Sequence, residues 1–169
     1  MQAAEKLDIE YYILGTIDSA MEESFKAMGK LTYEESNWPK YTSYDPDKMI
    51  SVAHRYASEK NKCLICATDH GNRIGAPIPI GVFAGHLIQP YYSDDLLARD
   101  LLWYVYPEYR KSGVGLMMFE MFESWAKVNG ATAIMMSQDS SVDMTRFNRV
   151  LERKGYDFIG SNYCVGVER

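Results

Sequence analysis

Long apolar runs, basic excess, histidine and cysteine are all scarce in this chain. No stretch reaches the roughly 18 consecutive apolar residues that mark a membrane-spanning helix. The start MQAAEKLDIEYY has no basic segment followed by an apolar one, so no secretion signal is read and a cytoplasmic protein is expected. Lysine and arginine (18) are outnumbered by aspartate and glutamate (23), giving a formal net charge of −5. That balance creates no overall basic field for nucleic acid and suits neutral or cationic partners. Cys63, Cys66 and Cys164 are too few to pair completely, and a small chain of this kind usually keeps its thiols reduced. Cys63 and Cys66 form a C-x-x-C string, but KCLICATD reads as a strand, where residues three apart point to opposite faces. A zinc site needs four ligands. His54, His70 and His86 are scattered without ligand spacing, so no metal is expected and the cysteines read as buried and structural.

What remains is ordinary globular material: 169 residues, 47% hydrophobic and 24% charged, without repeats, low-complexity tracts or a linker. This is enough for one well-buried core and too little for two ordinary domains, so 1–169 is read as one domain. A strand near 9–14 leads into a helix capped by Asp18 or Thr16, with Ile17, Met21, Phe25 and Met28 on one face. An aromatic and polar loop follows, and Asp45 with Pro46 opens a second helix over about 46–59. Residues 62–69 and 78–88 read as a hairpin joined by DHGNRIGAP. ARDLLWYVYP is a strand buried on both faces and stopped by Pro107. A helix over 113–128, a strand TAIMMSQ, a helix from Asp143 to Lys154 ended by Gly155, and a last strand in YDFIGSNYCVGV complete the order. The methionines at 117, 118, 121, 135 and 136 fall at helix and strand spacing and read as core packing.

The segment RKSGVG lies between strand and helix. The first turn of a helix leaves backbone N–H groups unpaired and carries the positive end of the dipole, which makes an anion site. Gly113 and Gly115 remove side chains from that turn, while Arg110 and Lys111 add positive charge, so a diphosphate is the natural guest. Neither the Walker spacing nor a dinucleotide G-x-G-x-x-G is present.

The pattern V-x-P-x-x-R-x-x-G-x-G at Val105, Pro107, Arg110, Gly113 and Gly115 resembles the acetyl-CoA motif of the GNAT N-acetyltransferases, as do FESWAKVNGA and RVLERKGYDFIG and the order of elements. The resemblance implies an α/β (α+β) fold: a central, mostly antiparallel twisted sheet of about six or seven strands, splayed between the fourth and fifth, with about four flanking helices. It further implies that the amides of Lys111, Ser112, Gly113, Val114, Gly115 and Leu116 hold the diphosphate of coenzyme A. The strand at Trp103, Tyr104 and Val105 would pair with the pantetheine arm, and an N–H near Val105 or Tyr106 would meet the thioester carbonyl. An amine would attack that carbonyl directly.

Where many relatives carry a tyrosine to protonate the departing thiolate, this chain has Leu151. Tyr163 or Tyr106 is then the candidate acid, and Asp100 the candidate base, with ordered water as the alternative. The loss also admits a second expectation, a coenzyme A-binding or structural GNAT protein with little or no catalysis. The acceptor, a primary amine, is expected between loops 30–45 and 89–97, whose acids and aromatics suit an ammonium group and its carbon stem. The helix over 17–28 and the strand at 132–137 supply surfaces for a homodimer, as in many relatives.

Overall fold

A computed structural model describes residues 7–71, 77–138 and 144–167. Five strands form one sheet in sequential order: β1 (Ile9–Ile13), β2 (Lys62–Asp69), β3 (Ile78–Ile88), β4 (Leu97–Val105) and β5 (Ala133–Met135). The first four pair antiparallel and β5 joins β4 in parallel. Helices α1 (Ser19–Glu35) and α2 (Pro46–Ser58) cover one face; α3 (Val114–Val128) covers the other, with α4 (Met144–Arg153) leaning against it.

The period-2 alternation of β2 shows why the sheet has two cores. Cys63, Ile65 and Ala67 face α3, whereas Leu64 and Cys66 face α1 and α2. The two neighbouring thiols therefore point to opposite layers, and burial pushes both up to about 12. On the α3 layer, Phe83 packs 4.7 Å from Phe122, ring centre to ring centre. Gly85 makes room for that ring, because a Cβ there would fall 2.2 Å from it. Asp18 caps α1 by accepting from Met21 N at 2.8 Å, and Asp45 caps α2 by accepting from Asp47 N and Lys48 N.

The structure departs from the sequence reading in three places. Helix α1 runs on to Glu35, through residues expected as loop, because the Glu35 carboxylate finds partners 69 and 75 residues further along the chain. Strand β5 is three residues long. The expected last strand does not form in 156–167, so the sheet has five strands among the described residues rather than six or seven. Phe158, Ile159, Val165 and Val167 are each at least 80% exposed; with no face to bury, nothing specifies a register for that segment. The expected helix start at Asp143 and the hairpin connection at 72–76 lie outside the described residues.

Candidate active site: a glycine turn beside an open strand edge

Strands β4 and β5 pair only at Leu97↔Ala133, Ala98↔Ile134 and Arg99↔Met135. The next residue, Asp100, ends the ladder: its carboxylate accepts from Ser137 N at 2.7 Å and Ser137 Oγ at 3.1 Å, taking over as acceptor for the departing strand. Asp100 is 7% exposed, and burial pushes its carboxyl up to about 6 against the opposing effect of the Ser137 bonds. It follows Ala98 by two residues, on the α3 face. One residue later the β3–β4 register shifts, pairing Gly85 with Asp100 but Ala84 with Leu102, so Leu101 is bulged.

Beyond the bulge β4 keeps one edge free. Tyr106 N donates to Ile80 O at 3.0 Å, so by antiparallel alternation Tyr104 and Leu102 also bond toward β3. The N–H groups of Trp103 and Val105 therefore point into the gap left by β5. Of the two residues expected near a thioester carbonyl, Tyr106 has its N–H engaged and Val105 does not face β3.

The chain then turns at Pro107 and enters α3. Gly113 stands at its N-cap with φ +89, in the left-handed region, and supplies no side-chain cap. The first helical bond is Met117 N to Gly113 O, at 3.1 Å, so the N–H groups of Val114, Gly115 and Leu116 precede the ladder. Ser112 differs: its N–H and hydroxyl both bond Tyr109 O. Lys111 is exposed on the rim. A Cβ on Gly115 would lie 3.2 Å from Trp103 Nε1, so the indole packs directly beneath the turn, supported by Phe119 and Phe147.

Arg110 is turned inward rather than over the glycines. Its Nε donates to Val105 O at 2.9 Å, its Nη2 to Glu35 Oε2 at 2.6 Å, and the guanidinium lies 5.3 Å from the centre of the Tyr104 ring. Tyr104 OH donates to the other oxygen of Glu35 at 3.0 Å. Burial, then Glu35, push the Tyr104 hydroxyl well above the usual phenol range. Sequence reasoning counted Glu35 among the acids of the 30–45 loop offered to an ammonium group; its pairing with Arg110 and Tyr104 has no local signal and was missed. It also missed Arg146, whose Nη2 donates to Arg110 O at 2.6 Å from the first turn of α4.

Leu151 packs on the α3-side core, and its carbonyl accepts from Tyr156 N. Tyr163 is 96% exposed in the unpaired tail, next to Cys164, whose carbonyl is 3.5 Å from Tyr41 OH. The two loops expected to share an acceptor site border separate concavities. One is lined by Gln89–Asp94; the other is lined by Tyr33, Ser43, Tyr44 and Asp45 together with Leu101 and Leu102 of β4. Among the described residues no cluster of His, Cys, Asp and Glu could hold a metal ion, and no helix is long and apolar enough to cross a membrane.

The Acetyltransferase (GNAT) family pattern matches residues 30–156. No curated protein sequence matches the chain. Solved structures with the same fold include the aminoglycoside acetyltransferase AAC(6')-Iy in complex with a bisubstrate analogue, CoA-S-monomethyl-acetylneamine, at 13% identity and TM-score 0.65, covering 97% of this chain and 99% of that one. An aminoglycoside acetyltransferase from an uncultured soil metagenomic sample aligns at 12% identity and TM-score 0.66, over 96% and 99%. A transcriptional regulator from Bacillus halodurans C-125 aligns at 15% identity and TM-score 0.67, over 96% and 100%. At such identities the likeness is one of fold.

Proposed function

Because the chain belongs to the GNAT acetyltransferase family, we propose that it is an acetyl-CoA-dependent N-acetyltransferase acting on a primary amine in a ternary complex, as one domain in the cytoplasm. The observation that carries this reading is the start of α3 at Gly113, without a side-chain cap, beside the free edge of β4. The amides of Gly113, Val114, Gly115 and Leu116 hold the diphosphate, with Lys111 at the rim and the helix dipole aiding. Arg110 contributes by fixing Val105 and the turn, its charge being matched by Glu35. The pantetheine arm lies along Trp103 to Val105 as an added strand. The Val105 N–H receives the thioester oxygen as charge develops on it. The amine attacks the carbonyl carbon, the C–S bond breaks, and the thiolate takes a proton from water. Asp100, held by Ser137 on the α3 face, sets the β4–β5 gap rather than serving as base, and Tyr163 stands too far into solvent to be the designated acid. A water molecule accepts the ammonium proton.

Leu151, half-buried against the core, favours a second reading, a coenzyme A-binding protein with slow or no transfer. A homodimer is proposed as well: the outer edge of β5 carries no partner strand among the described residues, and the apolar side chains of 158–167 lie in solvent. Calorimetry with acetyl-CoA, combined with chromatography of the acetylated amine, separates the first two readings. Binding with product formation supports the transferase; binding without product over a broad amine panel supports the second; no binding removes both.

A further inference from the structure

We propose that the cavity between α1, α2 and the sheet is the acceptor pocket, and that it takes a primary amine carried on an aromatic or aliphatic body, not a polycation. The inference rests on the transferase reading and adds the class of acceptor to it. The cavity measures about 350 Å³, at the small end of the range for sites that enclose a ligand. Val82 and Ala84 of β3 form its floor, Phe25 and Met49 its helical walls, and Leu101 and Leu102 its β4 side. The bulge at Leu101 breaks the alternation of β4 at the cavity wall, two residues from the free N–H of Trp103. Ala84 pairs with Leu102 and Val82 with Tyr104, so an amine whose body lies on these two residues runs alongside β4 toward Val105, where the thioester is proposed to lie. Tyr33 and Tyr44 stand at the mouth, ring centres 5.8 Å apart, and offer aromatic faces to an incoming ammonium group.

Charge settles the class. The lining holds one acid and one base, Asp45 and Lys48, which cancel. Asp45 Oδ1 is already bound by two amides of α2, and both oxygens of Glu35 are held by Arg110 and Tyr104. A polycation brought into this space would lose its hydration without finding carboxylates to replace it. A single ammonium can give its proton to water at the mouth, and the neutral amine then enters without that cost. Of the acids of the second loop, Asp94 lines the other concavity and accepts from Gln89, and Asp95 accepts from Ser93.

The test is calorimetric titration of the full chain with 2-phenylethylamine, with and without acetyl-CoA, alongside chromatographic acetylation assays of 2-phenylethylamine, spermidine and kanamycin. Cys164 is exposed, so product is counted directly rather than through a thiol reagent. We expect 2-phenylethylamine to bind the protein alone and to be acetylated with kcat/KM at least about ten-fold above either polycation. Val52→Trp, which fills the pocket from α2, should weaken 2-phenylethylamine by about ten-fold or more while leaving acetyl-CoA affinity unchanged. Preference for spermidine or kanamycin would overturn the proposed class and leave the transferase reading standing. Absence of acetyl-CoA binding removes the transferase reading itself. Absence of 2-phenylethylamine binding to the wild-type chain overturns the pocket assignment whatever the variant or acetyl-CoA does.

Discussion

At the residue scale, Asp100 illustrates how one side chain shapes the splay between two strands. It replaces a backbone partner for Ser137 at the point where β5 leaves β4, and burial holds its carboxyl at about 6, above the ordinary 3.8. A carboxyl raised on folding stabilises the native state most below its unfolded pKa, and that contribution is lost as pH rises through the folded value. Stability should therefore fall between 3.8 and about 6, by an amount on the order of 3 kcal/mol at most. Asp100→Asn keeps an acceptor for Ser137 without the charge. Melting temperatures across that window should flatten in the variant and exceed wild type at pH 7; an unchanged slope would show that another group carries the titration. The turn itself was legible in the sequence, because glycine spacing and a proline stop are local signals. The orientation of Arg110 was not: the string RKSGVG suggests charge beside the glycines, but Glu35 lies 75 residues away and draws the guanidinium inward.

At the element scale, α4 depends on α3. Lys154 bonds Glu123 at 2.8 Å and lies 5.2 Å from the centre of the Phe119 ring, and Tyr156 OH donates to the same Glu123 at 3.0 Å. None of the described α4 residues is fully buried, so these contacts and the half-buried Val150 and Leu151 hold it in place. Glu123→Ala should destabilise the protein by about 1–2 kcal/mol in urea unfolding, since it removes the acceptor of the partly buried Tyr156 hydroxyl and leaves Lys154 only its longer 3.5 Å contact with Glu120. A change within error would mean that apolar packing alone seats α4. Periodicity found all four helices because each turns an apolar stripe inward, fully buried in α1, α2 and α3 and half-buried in α4. It overestimated the strands, since residues 156–167 have the composition of a strand but no face to cover.

At the scale of the whole molecule, the sheet of the described residues stops at the short β5, while beyond α4 the chain carries exposed apolar side chains at Phe158, Ile159, Val165 and Val167. Light scattering should give twice the 19.3 kDa chain mass, and removal of residues 157–169 should give monomers; a full-length monomer would contradict the dimer. The sequence resemblance to the GNAT pattern located the splay correctly, since strands β4 and β5 do part. It gave no sign of the apolar cavity, whose walls come from α1, α2, β2, β3 and β4 together with the loop before α2.

Whether the start of α3 holds the diphosphate of acetyl-CoA, as proposed, is decided by titrating wild type and Gly113→Asp with acetyl-CoA. Aspartate is among the residues best able to adopt the left-handed conformation at φ +89, at a cost of about 1–2 kcal/mol, and it brings a negative charge to the anion site. Wild type should bind with micromolar affinity and a folded Gly113→Asp not at all. Equal binding by the two, or none by wild type, would contradict that placement.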